Sequence, residues 1–385
     1  MEGPGTIGGT TRRGPRDRPA TAVIRPGVCS VGAMSRSFFA ARVEEALNRA
    51  IGRVLRRLGW KERVVAYTGY GDPTFVRVMA RLTLAPERSA SGVIGRELLK
   101  RRGWRNFLAQ PVVRGTIVVH TSRGPIEVPT DRSGYIDVRL ENGSLPAGWQ
   151  RIEYSTVDGR TTSGDVQIID PSIDFGIISD IDDTIISTML PRLMLAAWNS
   201  FVVHESARQA VPGMARLYRD LLAEHPGAPL VFVSTGSWNT QPTLTRFLHS
   251  RRFPLGAMLL TDWGPTSTGW FRSGRAHKER EVRQLARDFP AIRWVLVGDD
   301  GQHDPAIYGR FSHEYPDHVR AVAIRQLTPA EQVLAHGTLD SLESEQMDRT
   351  HSVPWLTGQD GWEIHVKLDA ALSGQDPETP RADTP

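Results

Sequence analysis

Apolar positions recur along this chain with three different periods, and each period predicts a different kind of element. In residues 35–59, SRSFFAARVEEALNRAIGRVLRRLG, the side chains Phe39, Val43, Ala46, Leu47, Ala50, Val54 and Leu58 return every three or four positions. That spacing predicts an amphipathic helix within 34–61, with Ser35 or Ser37 to cap its start and Gly59 to end it. A helix this basic either packs on a neighbouring domain or lies on an anionic membrane surface. From 62 to 170 the pattern shortens to alternating runs such as RVVAYTGYG, FVRVMARLTL, GTIVVHTS, GYIDVRL and QRIEYST, separated by GDP, DRSG and ENGS. Period-two runs between such turns predict an all-β, sandwich-like domain. Inside it, GRELLKRRGWRNF reads as a basic loop or short helix.

After Pro171 the texture changes. FGIIS, PLVFVS, GAMLLT, RWVLVG and VRAVAIR are continuous apolar runs, and GMARLYRDLLAEH, TQPTLTRFLHSR and KEREVRQLARDF between them follow helical spacing. Strands buried on both faces and alternating with helices predict an α/β domain over 171–330, built on a parallel sheet. Ligands of such sheets bind beyond the carboxyl ends of the strands. Residues 186–203, ISTMLPRLMLAAWNSFVV, interrupt the alternation with Leu190, Leu193, Met194, Leu195, Trp198 and Phe201. They predict a small cap over 186–212, either a buried helix or a face that guides acyl chains. The remainder reads as an Arg/Gly/Pro-rich disordered tail over 1–33, a helical extension over 331–370 and a second tail over 371–385.

Composition narrows this picture. Of 385 residues, 39% are hydrophobic and 23% charged, as in a soluble globular protein with room for two cores. Cys29 is the only cysteine, which excludes an intramolecular disulfide framework and a cysteine-rich zinc site and fits a reducing cytoplasm. No apolar run approaches the length of a membrane-spanning helix. The net charge of +4 is concentrated at the front, where residues 1–60 hold eleven arginines and four acids. Lysine occurs only at Lys61, Lys100, Lys278 and Lys367.

The candidate chemistry begins at FGIISDIDDTIIST, residues 175–188, where three acids crowd behind an apolar strand. A calcium-binding helix-loop-helix reading fails, because its sixth and twelfth positions would be Ile185 and Pro191 rather than Gly and Glu. Asp180 and Asp182, two apart on an extended chain, project to the same side. One carboxylate can attack phosphorus while the other handles the leaving group's proton, with a divalent cation relieving their repulsion. PLVFVS ends at Ser234 and runs into TGSWN, whose hydroxyl and backbone N–H groups suit a phosphoryl oxygen. Lys278 is a single lysine kept where arginine is the habit, as a point charge on phosphate would require. In RWVLVGDDGQHDPAIYG an apolar strand again ends in acids, and Asp299, Asp300 and Asp304 without cysteine favour Mg2+ over zinc.

In this order, the motifs resemble the haloacid dehalogenase superfamily of aspartate-nucleophile phosphohydrolases over residues 173–327. ISDIDDTI, PGMARLYRDL, FVSTGSWN and VGDDGQHDPAIY, with TDRSGYIDV and LPAGWQ upstream, resemble more closely the phosphatidate phosphatase catalytic-domain family of the actin-patch-protein type. The chain departs from that pattern at Thr235, Gly236 and Ser237 and at Ala306, none of them a catalytic group. The resemblance implies a Rossmann-like, haloacid dehalogenase-like domain with a small cap, behind the β sandwich and the N-terminal helix. It implies Asp180 as nucleophile and Asp182 as general acid/base, with Thr184, Ser234, Thr235 and Lys278 at the phosphate. Asp180, Asp182, Asp299 and Asp304 would hold Mg2+. Asp183 and Asp300 are expected to support the loops. The implied substrate is phosphatidate or a related lipid phosphate, met by a cytoplasmic protein in peripheral contact with anionic membrane. No nucleic-acid partner is expected, and two alternatives stand beside this reading: a phosphatase for soluble or nucleic-acid phosphates, and a non-catalytic membrane- or protein-binding module.

Overall fold

The computed structural model describes residues 36–86, 110–187, 209–261, 274–301, 303–329, 331–332 and 353–373. The chain enters through helix α1 (Arg36–Arg57), which the Leu58 and Gly59 turn closes with Gly59 at φ 84°. Two strands of twelve residues follow, β1 (Trp60–Gly71) and β2 (Phe75–Pro86), paired antiparallel from Trp60 opposite Pro86 to Gly71 opposite Val76. Asp72 makes their turn, its Oδ1 accepting from the Thr74 and Phe75 backbone N–H groups at 2.6 and 3.0 Å. A bulge between Tyr67 and Tyr70 bends β1, and Gly69 is needed there because a Cβ would strike the Arg77 carbonyl.

The rest of the first sheet comprises β3 (Gln110–Pro111), β4 (Thr116–Thr121), β5 (Gly124–Pro129), β6 (Tyr135–Glu141), β7 (Gly148–Thr156) and β8 (Thr161–Ile168). Its order is β3-β2-β1-β8-β7-β4-β5, with β6 also on β2. The sheet encloses a core of its own that includes Val78, Leu82, Leu84, Ile117, Val119, Ile152 and Val166.

The second sheet has six strands, all parallel, in the order β13-β12-β9-β14-β15-β16. These are β9 (Phe175–Ser179), β12 (Leu230–Ser237), β13 (Ala257–Thr261), β14 (Arg293–Asp299), β15 (Val319–Arg325) and β16 (Trp355–Gly358). The short pair β10 (Ile186–Ser187) and β11 (Gln209–Ala210) ties together the two ends of segment 188–208. Helices α2 (Met214–Glu224), α3 (Gln241–Ser250) and α6 (Gly361–Ser373) cover one face, with Leu217, Leu221, Phe247, Ile364 and Leu368 in its core. Helices α4 (Gly274–Asp288) and α5 (Asp304–Glu314) cover the other, where Tyr67, Tyr70, Phe75 and Met79 of the first sheet join Val282, Leu285 and Phe311. All five residues of β9 are buried, which is why that stretch reads as an unbroken apolar run.

The expected fold does not hold. A sandwich keeps two sheets that face each other without hydrogen bonds between them. Here Gly69–Gly71 of β1 pair in parallel with Val166–Ile168 of β8, so the hydrogen bonds run through and make one mixed, curled sheet. Nor does the remainder keep the expected Rossmann-like, haloacid dehalogenase-like domain with a cap: beside the curled sheet stands a separate, all-parallel one, which takes its edge strand β16 and helix α6 from the stretch 331–370 expected to be a helical extension. The cap residues Leu190, Met194 and Trp198, the basic stretch 95–107, the tail 1–33 and most of 371–385 lie outside the described residues. Among the described residues no helix is long and apolar enough to cross a membrane.

Candidate active site

Parallel pairing puts the carboxyl ends of β9, β12 and β14 side by side, and the sequence places a functional group at each. The Asp180 N–H donates to the Val297 carbonyl at 2.9 Å, continuing the β9–β14 ladder by one residue. Behind Asp180 the chain closes a tight turn, in which Ile185 and Ile186 N–H both donate to the Ile181 carbonyl at 3.1 Å. Asp183 takes the left-handed position of this turn, at φ 59°, which Asp tolerates better than bulkier residues. Arg325, directly at the end of β15, donates to the Asp183 carbonyl at 2.6 Å. Glu331 holds the same guanidinium at 2.8 and 2.9 Å. Burial works to raise Glu331, but hydrogen bonds from Arg325, the Thr328 backbone and Ser187 outweigh it and bring its carboxyl down to about 2.

Three buried carboxylates meet at the strand ends. One oxygen from each of Asp180, Asp299 and Asp304 lies within 4.8 Å of the others. Lys278, buried on α4, bridges Asp180 Oδ1 and Asp304 Oδ1 at 2.7 Å each. The Asp299 Oδ1 accepts from the Gly301 N–H at 2.8 Å. Gly298 leaves room for Asp304, since a Cβ there would stand 2.6 Å from its Oδ2. That Oδ2 is buried and has no hydrogen-bond partner.

Three acids and one ammonium leave the pocket short of positive charge. Burial pushes Asp180 up to about 8, against the pull of Lys278 and with the added repulsion of Asp304 and Asp182. Burial, then Asp304 and Asp180, push Asp299 well above the usual carboxylate range. Burial works against the charged form of Lys278, yet Asp180, Asp304 and Asp299 hold it above the usual lysine range. An oxygen-only donor set with an orphaned carboxylate oxygen and surplus negative charge fits one hard divalent cation.

The other expected residues divide. Asp182 is half-buried, and its Oδ2 accepts from the Ser234 hydroxyl at 3.1 Å. Its carboxylate therefore turns to β12 and does not join the three-acid cluster. The Ser234 Oγ in turn accepts from the Gly236 N–H at 2.9 Å. The Thr184 hydroxyl is shared between Asp180 Oδ2 at 3.4 Å and Asp299 Oδ2 at 3.3 Å, so here it serves the carboxylates. The Thr235 side chain lies against Gly274 at the start of α4, and its carbonyl accepts from the Thr261 hydroxyl at 2.7 Å. Asp300 supports the adjoining loop by accepting from the Leu327 N–H at 2.8 Å.

Sequence reasoning missed a supporting layer. The Ser179 Oγ donates to the Asp180 carbonyl at 2.6 Å and meets the Tyr218 hydroxyl at 2.7 Å. From the curled sheet, Arg77 grips Glu281, one turn beyond Lys278, at 2.9 Å, and Tyr70 donates to Asp288 on the same helix at 3.1 Å. Tyr67 stacks on Trp238, directly after the serine loop, with ring centroids 4.9 Å apart. Arg325 alone carried a signal, a charge at the end of an apolar strand like those of Asp180 and Asp299.

Residues 175–326 match the family described as phosphatidate phosphatase APP1, catalytic domain. The resemblance read from the motifs is thereby borne out over this segment. Phosphatidate phosphatase APP1 of Saccharomyces cerevisiae is 27% identical over 153 residues, which are 39% of this chain and 25% of the yeast protein. An uncharacterized protein of Schizosaccharomyces pombe is 24% identical over 152 residues, again 39% of this chain and 25% of the relative. The chain thus spans a quarter of the length of these curated relatives. Among solved structures, a carbohydrate acetylesterase from Xanthomonas citri matches at TM-score 0.27 and 10% identity, over 80% of this chain and 73% of that one. A 2,6-sialyltransferase from Photobacterium sp. JT-ISH-224 matches at TM-score 0.25 and 9% identity, over 79% and 57%. At such scores neither informs the fold or the chemistry.

Proposed function

We propose that the chain is a Mg2+-dependent phosphatidate phosphatase, a phosphoric monoester hydrolase acting through an aspartyl-phosphate on Asp180. The observation that carries this reading is the buried Asp180–Lys278–Asp304 bridge at the strand ends of the very segment that matches a phosphatidate phosphatase family. The Asp180 carboxylate attacks phosphorus and the bond to the glycerol oxygen breaks, while Asp182 protonates that oxygen and diacylglycerol leaves. Asp182 then takes a proton from the water that attacks the aspartyl-phosphate, and inorganic phosphate departs with Asp180 restored. The Ser234 hydroxyl, the Gly236 N–H and the Lys278 ammonium hold the phosphoryl oxygens. Mg2+, held by Asp180, Asp299, Asp304 and the Asp182 backbone carbonyl, would neutralise charge on the carboxylates and the phosphate. A lipid substrate places the protein peripherally at a cytoplasmic membrane surface.

The test compares phosphate release from phosphatidate in detergent micelles, from sugar phosphates and from 3′-phosphorylated oligonucleotides, each with Mg2+ and with chelator. Release from phosphatidate that requires Mg2+ is expected. Preference for either soluble substrate would replace the lipid reading, and no release from any would leave a non-catalytic module. Asp182→Asn should lose roughly 10²- to 10⁴-fold in rate on phosphatidate. It should lose far less on p-nitrophenyl phosphate, whose leaving group barely needs a proton. Equal losses on the two substrates would contradict the acid/base assignment.

Stability should report the carboxylate cluster separately. Asp180 is raised from 3.8 to about 8, so the folded chain binds more protons than the unfolded one across that window. Stability without cation therefore falls as pH rises from about 4 to 8. Thermal unfolding in chelator should show a lower midpoint at pH 8 than at pH 5, and Mg2+ should close most of the gap. A midpoint insensitive to Mg2+ at pH 8 would remove the cation from this cluster.

A further inference from the structure

Helix α1 is mounted with its apolar stripe turned outward. It meets the curled sheet through Glu45, Asn48, Gly52 and Leu55. Asn48 accepts from Gln110 at 2.8 Å, Glu45 pairs with Arg114 at 2.9 Å, a Cβ on Gly52 would stand 3.6 Å from Leu84, and Leu55 packs on the sheet core. Leu47, Ile51, Val54 and Leu58 are 58%, 37%, 55% and 67% exposed. At 3.6 residues per turn these four fall within an arc of about 60°. Scattered exposed leucines need no explanation, but a contiguous stripe on a helix that packs by another side does.

The charge around the stripe says what covers it. From Ala46 to Lys61 the chain carries four arginines and one lysine and no acid. Arg49 and Arg56 pair with Glu45 and Glu62, whereas Arg57 and Arg53 stand exposed on one flank of the helix, about 90° and 130° round from the centre of the stripe.

We propose that this face of α1 docks on an anionic lipid bilayer, with Leu47, Ile51, Val54 and Leu58 in the acyl boundary and the arginines against the headgroup phosphates. This deepens the lipid-phosphate reading and rests on it for the choice of a bilayer over other polyanions. Interfacial helices of this kind combine a buried apolar face with basic flanks, and each cation near an anionic surface strengthens partitioning roughly fivefold.

The test is co-sedimentation of the full chain with vesicles of phosphatidylcholine alone and with vesicles in which a quarter of the lipid is phosphatidylserine. The native chain should pellet with the anionic vesicles and stay in solution with the neutral ones. Leu47→Glu with Val54→Glu, and separately Arg53→Glu with Arg57→Glu, should each weaken binding at least about tenfold. Because all four positions are exposed, the unfolding midpoint and p-nitrophenyl phosphate hydrolysis should stay at native values. Native binding by both double variants would overturn the proposal. So would absence of binding by the native chain, and sedimentation velocity would then show whether a second copy covers the stripe. Phosphate release from phosphatidate in detergent needs no docking, so it reports the hydrolase reading whichever way the vesicles decide.

Discussion

Asp180→Asn is expected to lower phosphate release from phosphatidate and from p-nitrophenyl phosphate alike, by roughly 10⁴-fold or more. An amide cannot attack phosphorus usefully, and the loss should not depend on the leaving group, because no acid assists bond formation at phosphorus. The variant should remain folded. Asp180 sits at the end of a strand whose ladder bond is made by its backbone N–H, which the substitution keeps, and Lys278 retains Asp304. Replacing a carboxylate pushed upward by burial with a neutral amide should even raise the midpoint of the cation-free protein slightly. In the native protein, fluoroberyllate should occupy Asp180 as an acyl-phosphate mimic, detectable as inhibition of the native chain and as a rise in its unfolding midpoint that Asp180→Asn does not show. Activity of the variant within about tenfold of native would end the covalent mechanism.

Lys278→Ala should damage both stability and turnover, in contrast. Its ammonium is the one cation bonded to both Asp180 and Asp304 among the described residues, at 2.7 Å each. Removing one partner of a buried ion network leaves uncompensated charge, at a cost of about 3–5 kcal/mol. The carboxylates would relieve part of this by taking up protons, so the loss should be larger at pH 8 than at pH 5. Mg2+ should restore much of the midpoint but not the rate, because the phosphoryl contact is gone. Lys278→Arg should not rescue either property: a planar fork does not fit a slot shaped for a compact ammonium between two carboxylates. Urea unfolding with and without Mg2+ and phosphate release from p-nitrophenyl phosphate measure both. A variant that unfolds and turns over like the native chain would show that the bridge carries neither load.

Reading order and residue type made much of this site legible. Asp180, Ser234 and Asp299 each follow an apolar run, and such runs in an α/β pattern end at one rim of a parallel sheet. Lys278 stood out because the chain otherwise uses arginine. What did not show was the direction in which each carboxylate turns. Asp180, Asp299 and Asp304 turn into one cluster, to which Gly298 admits the Asp304 oxygen by lacking a side chain, while the Asp182 carboxylate turns to Ser234. Thr184 was expected at the phosphate, and it bridges two carboxylates.

Local periodicity by itself determined where helices and strands lie, because burying one face of an element depends only on neighbours a few residues away. It determined α1, most strands of both sheets and the acidic ends of β9 and β14, but not β16, a strand inside the stretch expected to be helical. Which strands pair is a different matter. The joining of β1 to β8 links residues about a hundred positions apart, and it turned an expected sandwich into one curled sheet. The grip of Arg77 on Glu281, the hold of Arg325 on the Asp183 turn and the outward stripe of α1 belong to the same class. Each depends on which surfaces are buried against each other once the layers close, and that choice is made by the whole set of contacts, so only the tertiary structure decided them.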